Sequence, residues 1–517
     1  MTRPTHPKSA IRPYHAPVWS EPLIMEMGAP GRRGAWLPAF DGGDGAADAV
    51  SLVPETMRRK SAPALPENSE PDVLHHYLRL SQQTMGMIGV SLFGTCTMKY
   101  NPRLNEEMAA RPYMAELHPD QDESTLQGAF EIIDGMNKIL CRLSGMDQFT
   151  FQAAGGADAA YLHACLTRAY HAARGEGEQR REVITSIQSH PCNPATADAA
   201  GYEVITLPLG ENGYPSLDAL KAAVSERTAA LMINNPDDMG IYNPEIKEWV
   251  RTVHEAGGLC FYDHANFNGV MSKIRAADLG FDACMFMLHK TFGVPKGGGG
   301  PAVGAYGCRE ALRPFLPGPL VVEEGGAYRL ESPGETSLGR VREYLGNVQQ
   351  VMKAYAWSRA MGEAGICEAS DMSVLLNNYM EKKLLQIKGV TRSHPDIDGW
   401  RLEMTRYSLG ALFEDTGVTV MEVQNRMTDF GVDAFWLSHE PWIVPHPFTP
   451  EAGEMWSRED VDYWIAVLAH VCNEAYTDPE IVKTAPHNQA IGQLDASDID
   501  SPDRRAMTWR AYRRKRT

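Results

Sequence analysis

No stretch of the 517-residue chain approaches the roughly 18 uninterrupted apolar residues that a membrane-crossing helix requires, so no bilayer span is expected. Close cysteine pairs are missing as well. The nine cysteines fall at positions 96, 141, 165, 192, 260, 284, 308, 367 and 472 with no repeated spacing. That scatter argues against a disulfide framework or a metal site and suits the reduced thiols of a cytoplasmic protein. Positive charge is in deficit: the formal net charge is -17. The summed field repels phosphate at long range, so general affinity for nucleic acid or an anionic membrane is not expected, while a local positive pocket is left open. Internal repeats and low-complexity blocks are also lacking. What is present is an ordinary globular composition, 43% hydrophobic and 22% charged. The length exceeds one simple core, so a large domain with one or two smaller ones is expected.

Residues 1 to 70, rich in Gly, Pro and Asp, read as an extended arm with little core of their own. Arg3, Lys8 and Arg12 stand near the start without acids, as in a transit peptide, but the prolines there break any amphipathic helix and favour a surface arm. Helical periodicity begins at Asp72. Over 125 to 144, Phe130, Ile133, Met136, Ile139, Leu140 and Leu143 recur at three- and four-residue steps, and Gly145 is a good stop. Apolar runs then alternate with helical segments. The runs are Phe149 to Gln152, Glu182 to Ile187, Glu203 to Leu207, Ala229 to Asn234, Leu259 to Asp263 and Ala283 to Met287; the helical patterns lie near 157 to 173, 216 to 225 and 244 to 256. Strands apolar almost throughout are covered on both faces, which predicts an α/β fold with a mostly parallel sheet flanked by helices. The expected division is a large domain over 71–345, a linking helix over 346–376, a smaller C-terminal α+β domain over 377–490 and a basic tail over 491–517. The helical pattern leading into the link starts near Val341 and runs to Ala364. The tail, with seven basic residues after position 503, reads as a solvated segment or a contact to an acidic partner.

Ligands of such sheets gather beyond the carboxyl ends of the strands. Asp263 ends one apolar run, and Lys290 follows the next in Leu288-His289-Lys290-Thr291-Phe292, shortly before Gly297 to Gly300. A lysine amine that condenses with an aldehyde, and a buried carboxylate that keeps a pyridine nitrogen protonated, are what a pyridoxal phosphate site needs. A lone lysine after a strand usually just surfaces at the loop, but the apolar run, the threonine and the tetraglycine shift the balance. Lys296 competes from the same loop without following a strand directly. Gly155-Gly156-Ala157 opens a helical pattern and offers backbone amides to a phosphate, a weak signal alone, while Asp158 would cap that helix or turn toward substrate. His190 is placed to stack on a cofactor ring, although a solitary histidine is more often structural. Asn234 is placed either to reach the ring hydroxyl or simply to make a turn.

Beyond these local signals, the chain resembles the active-site subunit, subunit 2, of two-subunit glycine dehydrogenase (decarboxylating), the P-protein of the glycine cleavage system. The likeness is carried by Pro30 to Gly34, Gly94 to Pro102, Leu117-His118-Pro119, Ser144 to Asp147, His190 with Asn193-Pro194-Ala195, Asn235-Pro236, Leu288 to Phe292, Gly297 to Pro301, Gly339 to Arg342 and Thr484 to His487. The resemblance implies a fold-type I pyridoxal phosphate enzyme with Lys290 as Schiff-base lysine, Asp263 as ring-nitrogen partner and His190 as stacking residue. It also implies glycine decarboxylation, transfer of the aminomethyl group to a lipoyl-bearing H-protein, a related first subunit, and homo- or hetero-oligomeric assembly. His289 and Thr291 join the implied cofactor site. The sequence leaves the family pattern at Asp158, at His264 and around Lys296, which are therefore candidate substrate-pocket positions, and at Glu403-Met404-Thr405-Arg406. Two other readings stand beside this one: a diverged stand-alone pyridoxal phosphate decarboxylase or lyase acting on another small amino acid, and a catalytically silent partner subunit. Retention of Asp263 and Lys290 disfavours the silent subunit.

Overall fold

The structure is a computed structural model that describes residues 11–34, 51–61, 63–85, 89–92, 99–210, 212–295, 302–434, 437–439, 441–493 and 508–516. Lys296, the glycines 297–300 and most of the 94–102 motif therefore lie outside the described residues. By its internal contacts the chain divides into two units, one carrying Val90–Gln424 and Ala434–Lys483, the other Arg12–Gly89, Asn425–Asp433 and Thr484–Thr517. This division differs from boundaries at 70, 345, 376 and 490.

The first unit is built on a seven-stranded sheet. Its strands are β1 (Gln148–Ala153), β2 (Glu182–Ser186), β3 (Glu203–Leu207), β4 (Thr228–Asn234), β5 (Leu259–His264), β6 (Ala283–Met287) and β7 (Gly304–Cys308). They lie in the order β1-β7-β6-β5-β4-β2-β3, with β7 antiparallel to both neighbours and the remaining pairs parallel. Because β1 and β6 both run against β7, the carboxyl ends of β1, β2, β4, β5 and β6 share one edge. Val183, Ile184, Leu231, Met232, Phe261, Tyr262, Met285 and Phe286 are all but inaccessible, as strands covered on both faces require. Each such side chain contributes about 1.5–3 kcal/mol by leaving water, which makes the sheet a rigid platform for whatever its loops carry.

Helices α1 (Gln127–Ser144), α2 (Gly156–Ala173), α3 (Cys192–Ala199), α4 (Leu217–Ala223) and α5 (Ile246–Glu255) alternate with the strands and cover the two faces. α1 and α5 pack on the face of Phe149, Phe151, Leu231, Tyr262 and Phe286. α2 packs on the opposite face with Met232, Phe261, Met285 and Tyr306. The stop of α1 has a physical cause. Gly145 takes φ 75° and its N–H donates to Cys141 O at 2.8 Å, and an added Cβ there would stand 2.7 Å from the Ala277 Cβ, so glycine is required twice over.

The expected helix from 341 begins late. Tyr344 and Gly346 have φ of 54° and 77°, which breaks the helix before α6 (Val348–Leu384), itself interrupted by non-helical dihedrals at Gly362. A hairpin, β8 (Leu320–Glu324) with β9 (Ala327–Glu331), precedes it. Beyond α6 the chain mixes short strands β10 (Thr391–Arg392), β11 (Tyr407–Ser408) and β12 (Pro447–Phe448), paired antiparallel in that order, with helices α7 (Gly410–Thr416) and α8 (Arg458–Thr477). No helix among the described residues is long and apolar enough to cross a membrane.

Among its described residues, the early part of the second unit is tied to later chain. Its helix Glu70–Gln82 is capped by Ser69, whose hydroxyl accepts from Asp72 N. Glu21 accepts from Arg79 Nε at 2.7 Å and pairs with His76 Nδ1 at 2.9 Å. Ala16 N donates to Asn488 O at 2.8 Å, and the buried Asp429 accepts from the backbone of His487 and Asn488. The described residues around Ala16 and Glu21 are thus tied by polar contacts to Asn488, His76 and Arg79, which local composition does not reveal.

Candidate active site

Each candidate side chain comes from a loop that leaves the carboxyl edge of the sheet. Strand pairing sets Asn234 opposite Asp263 and Asp263 opposite Met285, and the chain turns after β6, with Lys290 N donating to Met287 O at 3.0 Å. Thr291 Oγ1 accepts from Phe267 N at 3.2 Å, tying the lysine turn to the loop after β5. Lys290 and Asp263 are buried, at 6% and 4% exposure.

Asp263 is held from two sides, Oδ2 accepting from Asn193 Nδ2 at 3.0 Å and Oδ1 from Ala265 N at 2.9 Å. Burial pushes its carboxyl up from the usual range, against the opposing pull of His190, the Ala265 N–H, Lys290 and Asn193. A carboxylate in this position gains most from an adjacent cation. His190 supplies the flat group. Its Nδ1 accepts from Cys192 N at 3.1 Å, which leaves the ring proton on Nε2, and burial together with the Lys290 charge lowers its pKa to about 4. The ring is therefore neutral at neutral pH. His439 meets it edge-on, centroids 4.5 Å apart.

Asn234 is engaged at both ends: Oδ1 accepts from His190 N at 3.1 Å, and Nδ2 donates to Asp238 Oδ1 at 3.1 Å. It bridges the histidine loop to the buried Asp238. His289 is also buried, with Nδ1 unpartnered and its pKa lowered to about 4 by burial and by Lys290.

At the end of β1, Gly155 is extended and Gly156 opens α2. A Cβ built at Gly155 meets nothing within 4 Å, so space lies beside the exposed amides of the helix start. Asp158 turns back to accept from Ala154 N at 2.9 Å, so its carboxylate closes the turn. These features fit pyridoxal phosphate: an amine at Lys290, a buried acid at Asp263 for the ring nitrogen, a neutral flat ring at His190, and room at Gly155-Gly156-Ala157 for the phosphate.

His264 does not join the group, which corrects its assignment to the substrate pocket. Successive strand residues point to opposite faces, so the neighbour of Asp263 points away from it. Its ring lies 3.6 Å from Tyr262, 4.8 Å from Phe267 and 5.6 Å from Phe286 by centroid, and burial lowers its pKa to about 3. Sequence reasoning gave no role to Asn193, Asp238 or His439. Asn193 was findable, one helical turn after His190. His439 comes from a distant part of the chain with no local signal. At the opposite end of β5, His254, Cys260 and Asp282 cluster closely enough to hold a metal ion. There Asp282 Oδ2 is already shared by His254 Nε2 at 2.8 Å and Cys260 N at 2.7 Å, and burial drives the thiol pKa well up, so the group reads as an internal hydrogen-bond set.

Three buried histidines and the half-buried His190, all neutral, predict acid sensitivity. His163 and His264 have pKa values near 3 and His190 and His289 near 4, all lowered from 6.5 chiefly by burial. As pH falls below about 6.5 the unfolded chain takes up protons that the folded chain refuses, so the stability present above that pH is lost on the way to pH 4. Each histidine contributes a slope of up to about 1.4 kcal/mol per pH unit. Urea midpoints between pH 7 and 5 should fall accordingly, and His264→Phe, which keeps the ring and removes the titration, should flatten the slope by about one histidine's share. An unchanged slope would contradict this assignment.

The aminotransferase class-V family model matches residues 163–409. The chain is 41% identical over 503 residues to the probable glycine dehydrogenase (decarboxylating) subunit 2 of Pyrococcus abyssi, covering 97% of this chain and 98% of that protein. To the protein of the same name from Staphylococcus saprophyticus it is 39% identical over 484 residues, covering 92% and 95%. Among solved structures, the inhibitor-bound glycine decarboxylase (P-protein) of the glycine cleavage system superposes with a TM-score of 0.70 at 20% identity, covering 84% of this chain and 100% of that one. A cysteine desulfurase from Escherichia coli superposes at 0.56 with 16% identity, covering 75% and 95%, so these two comparisons speak to the fold. The chain therefore belongs to the glycine dehydrogenase (decarboxylating) subunit 2 family, within the pyridoxal phosphate-dependent enzymes of fold type I.

Proposed function

We propose that this protein breaks the Cα–carboxylate bond of glycine and passes the aminomethyl group to a lipoyl-bearing H-protein, working beside a related first subunit. The observation that carries the reading is the grouping of buried Lys290 and Asp263 with half-buried, neutral His190 at the carboxyl edge of the sheet, in a chain whose relatives bear the glycine dehydrogenase name. Bound pyridoxal phosphate supplies the sink for the electron pair released when carbon dioxide leaves. Lys290 would hold the cofactor through its side-chain amine. Asp263 keeps a proton at the ring nitrogen, because a buried carboxylate and a neighbouring cation stabilise each other. His190, being neutral, offers a flat surface without adding a second positive charge. Burial of Lys290 and Asp263 limits the access of water to the reacting groups. Transfer to the H-protein would open the lipoyl disulfide, one sulfur ending bonded to the aminomethyl carbon and the other as a thiol.

Exchange of labelled bicarbonate into glycine, with H-protein and first subunit present, tests this directly. The expected result is exchange that requires all three proteins. Turnover of another small amino acid by the isolated chain would instead support a stand-alone enzyme, and a protein that never acquires visible absorption on reconstitution would support a silent partner subunit.

A further inference from the structure

The loop that leaves β5, residues 265–269, carries two contacts on which the site depends. Its Ala265 N–H donates to Asp263 Oδ1 at 2.9 Å, and its Phe267 N–H donates to Thr291 Oγ1 at 3.2 Å, next to Lys290. The acid and the lysine turn therefore take their places from one short piece of chain. What seats that piece comes from far along the sequence. Asn266 Nδ2 donates to Glu451 Oε2 at 2.9 Å, and no Cβ fits at Gly269 because the Glu403 carboxyl fills the space. Asn266 Oδ1 accepts from Asn268 N at 3.2 Å, the hydrogen bond by which an asparagine closes a turn on its own backbone. The contact of its amide nitrogen with Glu451 is an addition to that turn.

Glu451 is a fixed post. It is 3% exposed, and its N–H donates to Leu92 O at 3.3 Å. Three residues on, Glu454 Oε1 pairs with Lys99 Nζ at 2.6 Å, and that ammonium lies 4.7 Å from the centre of the Trp357 ring. Burial and the Glu451 charge push the Glu403 pKa up to about 8, so Glu403 is protonated at neutral pH and the two acids tolerate each other beside one loop. A carboxylate accepting from an amide inside the protein is a strong, directional contact. Moving the post would move the loop, and with it both Asp263 and the lysine turn.

We propose that Asn266 and Glu451 are a positioning pair, whose hydrogen bond seats the loop after β5 so that the Lys290 amine and the Asp263 carboxylate meet the cofactor from fixed points. The proposal rests on the reading of the site as one for pyridoxal phosphate. It makes the later chain, through one contact, a determinant of how fast the site captures cofactor and how the captured cofactor responds to pH.

The test swaps the partners. Asn266→Asp opposes two acids and breaks the contact, whereas Asn266→Asp with Glu451→Gln restores one acid and one amide with donor and acceptor reversed. Cofactor-free protein is mixed with pyridoxal phosphate, and the label fixed to Lys290 by borohydride is followed in time, beside the pH midpoint of the visible band. Asn266→Asp should slow capture roughly 10-fold and move the midpoint by about one pH unit, the scale of one lost hydrogen bond, and the swapped pair should recover most of both. Should Asn266→Asp not fold, Asn266→Ala, which breaks the contact without opposing charges, takes its place with the same expected loss. Variants that melt at lower temperature yet capture cofactor at an unchanged rate with an unchanged midpoint show a contact serving stability alone, and overturn the proposal. Amide hydrogen exchange in the cofactor-free protein separates this pair from the cofactor reading. Faster exchange at Phe267 and Lys290 in Asn266→Asp, reversed in the swapped pair, by a protein that captures no cofactor would keep the positioning pair and remove the cofactor chemistry. Exchange at Lys290 that ignores the substitution would overturn the pair.

Discussion

Lys290→Ala is expected to abolish the visible absorption of reconstituted protein and to lower glycine-dependent exchange by about 1000-fold or more, the upper scale for removing a group that handles a proton or bond in the reaction. The fold should survive, because the backbone contact of Lys290 N with Met287 O and the Thr291 hydrogen bond to Phe267 N do not need the amine. Loss of the ammonium also changes its neighbours in a definite sense. The Lys290 charge lowers the pKa of both His190 and Asp263, so removing it makes both groups easier to protonate. His190 titration, followed by NMR in cofactor-free protein, should therefore move upward from about 4 in the variant. A coloured, active Lys290→Ala protein would remove the basis of the proposed chemistry.

Asp263→Asn isolates charge from shape. Today Asp263 accepts from Asn193 Nδ2, while Asn193 Oδ1 is buried without a partner. After the substitution the Asn193 amide can rotate and offer that oxygen to the new side-chain N–H₂, so the hydrogen-bond count is conserved. Stability should stay within about 1 kcal/mol, or rise slightly, since a buried carboxylate is costly. Activity should nevertheless fall by roughly 100- to 1000-fold, the scale of removing one preorganised electrostatic contact from a buried site. The measurement is kcat beside thermal melting of the same preparation. Unchanged turnover would show that the acid does not serve the ring nitrogen.

Strands of the central sheet were readable because residues covered on both faces leave long apolar runs, and five carboxyl ends placed along one edge then pointed to Gly155, His190, Asn234, Asp263 and Lys290. β7 escaped notice for an equally physical reason. Its Gly307 must lack a side chain, since an added Cβ would stand 2.2 Å from the Phe149 ring, so the strand carries little of the usual β signature. Over 341–347 the apolar spacing suggested helix, but left-handed dihedrals at Tyr344 and Gly346 are set by packing, and Gly346 approaches Phe151 O too closely for any Cβ. His264 became a substrate-pocket candidate because it departs from the family pattern, but strand alternation turns it away from Asp263 and toward Tyr262 and Phe267. His439 reaches His190 only through the folding of the later chain, and nothing in its own surroundings announces it.

The covalent role of Lys290 is the claim on which the rest depends, and borohydride reduction tests it most directly. Reducing the reconstituted protein and mapping its peptides by mass spectrometry should find the cofactor fixed to Lys290, with Asp263→Asn labelled at the same position. A label on Lys296, or none at all, would contradict the account.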